Sequence, residues 1–583
     1  MIMKRKGEAQ LNGVSAAGAS DAPSSSSSVC GGCARKLRSC IPVNYKEEIR
    51  ELLKLAGPVF ISQLMIFMIS FVSTVFCGHL GKTELAGVAL AIAVVNVTGL
   101  CVGAGLASAC DTLISQTFGS NNLKRVGVIL QRGVLILLLA CFPCWAVLIN
   151  TESILLAVRQ SPGVASLSQL YVKIYMPALP AAFMYQLQAK YLQNQGIIWP
   201  QVITGAAGNI LNALINYVFL YLLNLGVAGS AMANSISQFA LAVFLYVYIH
   251  LKGLHKATWD GWSRDCLQEW GPYFRLALPS MLMLCVEWWT YEIGGFLAGL
   301  ISEAELGAQS IVYELATIAY MFPLGFGVAA SVRVGNALGA GNTQQAKLSS
   351  KISLICGIMV SCVVGAAITG GKDIIAYIFT TDMEIVEKVS GIMVMYGAFH
   401  LFDAIAGITG GIVRGAGKQL LGAGCILVGY YLVGFPIGVS LMFALKMGIV
   451  GLWSGLFVCV FLQSLFFLIL IYKLDWNRAT EEALKRAGVQ RAEAKTESYA
   501  LENKCVDIDV RQESQPREGE QTDVEAKGEN DEERAAEDRV AVTVGDVLTT
   551  KQLVVRRGLA VFLMILILAA GITLNEILTG LLR

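Results

Sequence analysis

Residues 287–292 read EWWTYE and place two carboxylates and three large rings inside an apolar run from Leu276 to Leu300. A carboxylate there can hold a proton or pair with a cation. Ring faces beside it attract cations by up to about 2 kcal/mol once water is excluded. On a helix turning about 100° per residue, Glu287 at 0° puts Tyr291 near 40°, Trp288 near 100° and Glu292 near 140°. Acid, aromatic, aromatic and acid share one broad face, and Trp289 points away from it. An ionised acid at the centre of a bilayer costs roughly 2.5–3.5 kcal/mol, so these groups should line a cavity.

Two further acids fall at a similar depth. In ELGAQSIVYELATIAYMFPLGF (305–326), Glu314 is accompanied by Tyr313, with Tyr320 and a helix-kinking Pro323 further on. In MVMYGAFHLFDAIAGITGG (393–411), Asp403 has His400 three residues before it. Counting along helices, Glu287 lies roughly 18 Å from Arg275 and Glu314 roughly 12 Å from its outer end, both close to the middle of a core about 30 Å thick. Asp403 lies at a comparable distance from Arg414. Burial favours the neutral form of a carboxyl and a nearby cation favours the ionised form. A proton and an organic cation would therefore exclude one another here, which is the logic of exchange.

The elements that must hold these groups are membrane helices. The chain has 583 residues, 55% hydrophobic and only 15% charged, against about 25% charged in soluble domains. Its net charge of +2 gives no reason to expect nucleic acid as a partner. Thirteen apolar segments reach spanning length, centred near 66, 97, 138, 180, 212, 239, 287, 318, 359, 401, 431, 460 and 567. Lys and Arg concentrate on alternate loops, which predicts a cytoplasmic N-terminus and an extracellular C-terminus. Residues 1–45 are polar and Ser-rich, lack the apolar core of a secretory signal, and read as a disordered cytoplasmic tail. Cys30 and Cys33 there have the spacing of a metal or redox pair, but no second pair follows. Residues 476–551 are charge-dense and read as a second disordered linker, before a last span in 552–583.

Shifted by 221 residues, the sequence meets itself. LAGPVFISQ (55–63) faces LALPSMLML (276–284), KTELAG (82–87) faces EAELGA (303–308), and LQNQG (192–196) faces VRGAG (413–417). QTFGSNN (116–122) and NLGVAGSA (224–231) meet NALGAGN (336–342) and KMGIVGLW (446–453), each displaced by one. This predicts two parallel six-helix lobes, 46–251 and 276–475, joined by a cytoplasmic linker at 252–275. Such duplication is typical of secondary transporters, with a site near the midplane. The lobes differ: Glu287 aligns with Ile66 and Glu292 with Phe71, while the first lobe offers Asp111, Gln63, Asn96, Asn209 and Asn212.

No nucleotide-binding fingerprint is complete. GHLGKT (78–83) has Phe76 where the phosphate loop needs its first glycine. No nucleophile, metal cluster or nucleotide site marks an enzyme. Transport should run on an ion gradient, with protons as the coupling ion and no other cofactor. Sodium coupling is the alternative. A lipid flippase of related architecture is another and would call for a cationic cavity.

EWWTYE (287–292), ELGAQSIVYE (305–314), ASVRVGNALGAGN (330–342), GGIVRGAGKQ (410–419) and YYLVGFPIG (430–438) resemble the vertebrate branch of the multidrug and toxin extrusion (MATE) family. The resemblance covers about 46–476, and the isolated thirteenth span fits the vertebrate pattern. It implies an all-α fold of two six-helix lobes around a V-shaped cavity. It also implies a monomeric, proton-coupled exporter of small organic cations in the apical plasma membrane. The family's functional acids fall on Glu287, Glu292, Glu314 and Asp403. Lining positions implied by the resemblance are Gln63, Asn96, Trp288, Tyr291, Tyr313 and Tyr320, with His400 beside Asp403. Mammalian members resemble this chain at the tenth-span acid but carry Glu where it has the shorter Asp403.

Overall fold

The computed structural model describes residues 43–77, 81–380, 382–489 and 548–582. The chain divides into two compact units, 1–47 and 48–583, and the helical body is the second. Its first half comprises α1 (Val43–Cys77), α2 (Thr83–Gly119), α3 (Leu123–Leu148), α4 (162–193), α5 (Trp199–Leu222) and α6 (Gly226–Leu251). Its second half comprises α7 (Trp270–Gly299), α8 (Glu303–Gly339), α9 (Thr343–Gly370), α10 (Met383–Gly415), α11 (Gln419–Phe443) and α12 (Ile449–Lys473). A short α13 (Trp476–Arg486) and a long α14 (Thr550–Leu582) follow. All thirteen apolar segments read from the sequence are helical.

Among the described residues, eleven helices are long and apolar enough to cross a membrane. The two that fall short do so for local reasons. In α4 a 3-10 turn at Met176–Ala178 breaks the helix, where Pro177 and Pro180 remove backbone donors. In α7 the acids and tryptophans of EWWTYE dilute the apolar run. By contrast Pro323 does not interrupt α8, which is continuous from Glu303 to Gly339.

The duplication is written in the backbone. Gly196 (φ 77°) and Gly417 (φ 73°), 221 residues apart, both adopt the left-handed conformation. So do Asn121 (φ 62°) and Gly341 (φ 77°), Asn224 (φ 51°) and Lys446 (φ 54°), and Gly226 (φ 57°) and Gly448 (φ 59°). A lysine resists this conformation, so Lys446 is held there by the turn it shares with Asn224. These turns fall on the loops whose sequences match, including the one-residue displacements.

Each half has its own core. The first gathers residues such as Ile114, Leu137, Phe183 and Leu245; the second gathers Tyr396, Phe399, Trp453 and Phe467. The first core also takes in Trp270, Tyr273, Leu276 and Ala277. The start of α7 therefore belongs by packing to the half before it, and the linker expected at 252–275 ends in a helix from Trp270. Its Glu269 accepts from Arg125 and Arg132 of α3 at 2.8 and 3.2 Å.

The halves are bonded at the end where α2, α8 and α10 finish. Gln116 Nε2 donates to the Gly415 carbonyl at 2.9 Å, Thr112 Oγ1 to the Arg414 carbonyl at 2.5 Å, and Gln419 Nε2 to Thr112 Oγ1. Arg333 of α8 pairs with Glu48 of α1, which also accepts from Ser349 at 2.6 Å. Glycine permits the close approach: a Cβ on Gly339 would collide with the Gln116 carbonyl, and one on Gly119 with the Asn336 carbonyl. Residues 476–486, expected to be disordered, instead form α13. Its charge lies on one side, while Trp476, Ala479, Thr480 and Ala483 are buried. Glu482 bonds Lys418 at 2.8 Å and Arg486 at 3.0 Å, and Asn122 donates to the Ala487 carbonyl at 3.1 Å. Residues 43–45 and 550–551, also expected to be disordered, are the starts of α1 and α14, and 1–42 and 490–547 lie outside the described residues.

Candidate functional site

Three helices of the second half carry the four carboxylates. Glu287 and Glu292 stand on α7, Glu314 on α8 and Asp403 on α10. Glu287, Glu292 and Glu314 are half-buried and Asp403 is 7% exposed. Asp403 and Glu287 lie within range of each other's charge, as do Glu292 and Glu314. The acids therefore form two levels, an inner pair between α7 and α10 and an outer pair between α7 and α8. This follows from the five-residue step between Glu287 and Glu292, which is one turn and a half of helix. Among the described residues, no hydrogen bond or ion pair within 4 Å engages any of the four.

Rings join the two levels. Tyr291 lies 5.7 Å from Tyr313 and 6.1 Å from Trp453, centroid to centroid. Behind them Tyr396 and Phe399 each meet Trp453 edge to face, at 5.8 and 5.4 Å. Trp453 is fully buried and its Nε1 donates to Gln309 Oε1 at 2.8 Å. Tyr320 lies against Gly407 of α10, one turn beyond Asp403, and senses both Glu287 and Asp403. Tyr396, Gln309 and Trp453 escaped sequence reading because an aromatic in an apolar run looks like packing. Tyr396 sits seven residues before Asp403, two turns along the same face, which is the one signal that could have flagged it.

The other expected residues are spread more widely. Trp288 is 37% and Trp289 40% exposed. Trp289 leaves its own half altogether, its Nε1 donating to the Val97 carbonyl of α2 at 3.0 Å. His400 is fully buried, with its ring 5.9 Å from Tyr396 and both nitrogens unpartnered. It belongs to the packing behind Asp403, not to an open wall. Gln63 is half-buried on α1. Asn96 opens a π-helical turn, Asn96–Leu100, and lines a pocket with Ser70, Tyr171, Tyr175, Asn234 and Gln238, all of the first half. The structure thus unites the acids with Tyr291, Tyr313 and Tyr320, and sets Asn96 and His400 apart from them.

One residue bridges the acids to the joint between the halves. Arg414, at the end of α10, reaches Asp111 of α2 with Nε–Oδ2 at 3.7 Å, and its charge also acts on Glu287. Asp111 is buried, is paired with Lys190 at 3.0 Å and accepts from Asn194 at 3.2 Å. Asp111, the first half's own intramembrane acid, is therefore fully engaged, unlike the four in the second half. Cys30 and Cys33 lie outside the described residues.

The profile of the MatE family matches this chain twice, over residues 58–218 and 279–440. The two matches begin at 58 and 279, 221 residues apart, which is the offset at which the sequence repeats. The chain is 78% identical over 563 residues to multidrug and toxin extrusion protein 1 of Danio rerio, covering 96% of this chain and 95% of that one. It is 52% identical over 541 residues to multidrug and toxin extrusion protein 1 of Homo sapiens, covering 91% and 93%. Among solved structures, the eukaryotic MATE transporter AtDTX14 superposes with a TM-score of 0.74 at 28% identity, covering 76% of this chain and 99% of that one. The duplicated helical body, the repeated profile match and the near full-length relatives agree that the chain belongs to the multidrug and toxin extrusion (MatE) family of transporters.

Proposed function

We propose that this chain exports small organic cations in exchange for protons by alternating access, acting as a single-chain transporter in the apical plasma membrane. The observation that carries the reading is the set of four carboxylates in the second half, backed by Tyr291, Tyr313 and Tyr320 and engaged by no hydrogen bond or ion pair among the described residues. A buried polar group is normally satisfied, and an intramembrane acid left without a partner is held ready for something that comes and goes. Tyrosine faces beside it suit a desolvated organic cation. Glu287 and Asp403 form the inner exchange level, and Glu292 and Glu314 the outer.

In this reading the lobes span 46–251 and 276–475, the N-terminus is cytoplasmic, and α14 is a thirteenth crossing that carries Arg583 outside. The Lys- and Arg-rich face, where Gln116, Asp111, Arg414 and Gln419 join the halves, is the cytoplasmic one. The joint is bonded in this structure, and each cycle must break it. Arg414 stands between Asp111 and Glu287, so a change of charge on Glu287 alters the balance that holds the joint. The coupling thus needs no nucleotide and no cofactor besides the proton.

The test is tetraethylammonium flux in proteoliposomes under imposed gradients. A proton gradient without sodium should drive uptake against the proton flow. Stimulation by sodium alone, with no response to protons, would reassign the coupling ion. No cation flux under either gradient would refute the reading.

A further inference from the structure

Most of the described cysteines pack as small apolar groups inside one half, as buried thiols commonly do. Cys101 and Cys285 differ. Cys101 follows the π-turn of α2 and Cys285 lies on α7, two residues before Glu287. Their sulfurs are 3.3 Å apart across the boundary between the halves. Both are buried, at 0% and 4% exposed.

The surroundings hold them in register. Cys101 Sγ donates to the Val97 carbonyl at 2.7 Å, and Trp289 Nε1 of the other half donates to the same oxygen. One carbonyl inside the π-turn thus serves a donor from each half, and π-turns recur at functional positions because they re-aim the local backbone. One helical turn away on both helices, Gly105 meets the Met281 backbone so closely that a Cβ would collide with it. The thiols therefore sit at a point of backbone contact, where neither can move away without parting α2 from α7. A disulfide needs a sulfur separation of about 2.05 Å, little more than an ångström nearer than the thiols already stand.

We infer that Cys101 and Cys285 are an oxidation site whose disulfide clamps the two halves together and arrests transport. The arrest rests on the alternating-access reading above; the formation of the bond does not. With a hydroperoxide as oxidant, one thiolate attacks a peroxide oxygen, the O–O bond breaks, and a sulfenic acid forms as hydroxide or alkoxide leaves. The second thiolate then attacks that sulfur, the S–S bond forms, and the S–O bond breaks with loss of hydroxide. The two thiol protons neutralise the two leaving groups, the sulfurs lose two electrons, and the peroxide is reduced. Because both sulfurs are buried here, the first step belongs to the arrangement in which α2 and α7 have parted, and the second to their return. A dithiol reverses the bond. The device would let oxidative conditions halt export.

The experiment uses the full chain in proteoliposomes, treated with hydrogen peroxide during turnover and then mapped by mass spectrometry for linked peptides. The expected result is a Cys101–Cys285 linked peptide, a fall in proton-driven tetraethylammonium flux of about tenfold or more, and recovery with dithiothreitol, because a locked conformational step limits turnover. C101S and C285S should each keep flux within about twofold in peroxide, since neither can form the bond. A linked peptide with undiminished flux overturns the clamp. So does equal inhibition of C101S and C285S, or the appearance of a different cysteine in place of either partner. If the unoxidised chain moves no cation under any gradient, the functional reading falls. The clamp is then judged by the linked peptide and by slowed hydrogen exchange at residues 331–339; absence of either overturns it.

Discussion

The two halves share a backbone and differ in what they leave unpaired. At equal depth in the first half, Ile66 and Phe71 take the places of Glu287 and Glu292. The first half's acid Asp111 is engaged by Lys190 and Arg414, and around Ser73 its polar groups are neutral and mutually bonded. Ser73 Oγ lies 3.5 Å from Asn212 Oδ1 and 3.4 Å from Asn234 Oδ1. Asn216 donates to Ser73 at 3.2 Å and to Asn212 at 3.1 Å, Asn212 donates to Ser237 at 3.0 Å, and Asn234 donates to Tyr171. A bonded amide cluster of this kind specifies how helices pack and gains nothing by letting go. Four carboxylates without partners stabilise nothing, and ionised they oppose insertion. The comparison teaches that one copy of the repeated bundle binds its neutral polar groups to one another, while the other leaves four carboxylates without partners.

The sharpest way to break this contrast is to neutralise one acid. Glu287→Gln should lower proton-driven tetraethylammonium flux by about a hundredfold or more while leaving surface expression and melting temperature unchanged, because no bonded partner is lost. Near-wild-type flux would end the role of the inner level. The first half should respond in the opposite sense. Asn212→Ala takes one hydrogen bond each from Ser237 and Asn216, so it should destabilise the protein by about 1–3 kcal/mol. Its flux, counted per folded molecule, should stay close to wild type. Melting in detergent and flux on the same preparation separate the two outcomes.

The fold was legible in the sequence because membrane helices announce themselves by length and hydropathy, and because the repeat kept its turn residues: Gly196 and Gly417 sit on matching loops with matching φ. The acids were legible because charge in an apolar run stands out one residue at a time. Their division into two levels was half visible in the five-residue step from Glu287 to Glu292. The pairing with Asp403 and Glu314 was not, since it depends on how α8 and α10 cross α7. The full burial of His400 against Tyr396 was not legible, because a titratable ring three residues from an acid reads the same whether it packs or lines a cavity. The helix at 476–486 was missed because charge density hid one apolar side, made by Trp476, Ala479 and Ala483. Arg414 was read only as a topological marker, and its contact with Asp111 crosses the two halves, which no local pattern encodes.

Asp403→Glu tests the same contrast more gently. The charge survives and the side chain gains one methylene. Flux should persist within about tenfold, since the carboxylate for which proton and cation compete is kept. The ratio of rates for bulky and small cations should shift, measured by competition against tetraethylammonium. An unchanged ratio would mean that Asp403 does not meet the cargo. Weakening the joint should have a smaller and different effect. Gly339→Ala pushes a methyl group at the Gln116 carbonyl, so it should loosen the closed end and raise hydrogen exchange at residues 331–339 without touching any acid.

The smallest effect belongs to α13, which lies outside the spans and braces the joint. Burial pushes the Glu482 carboxyl upward, but the Lys418 hydrogen bond and the charges of Lys418, Arg486 and Arg478 outweigh it and hold the group below its ordinary value of 4.5. A carboxyl whose folded pKa is depressed adds stability that is fully present above its unfolded value and lost as pH falls through the folded one. Wild type should therefore melt slightly above Glu482→Gln at pH 7, and the difference should shrink as pH falls below 4.5 and vanish once it passes the depressed folded value. The pair is partly open to water, so the gap should not exceed about 1 kcal/mol. A gap that grows as pH falls would place Glu482 in an unfavourable environment and remove α13 as a brace. Glu482 in its bonded network and Glu287 without a partner then mark opposite uses of one side chain: the first is worth having only while ionised, and the second, in the proposed exchange, is useful because it need not stay so.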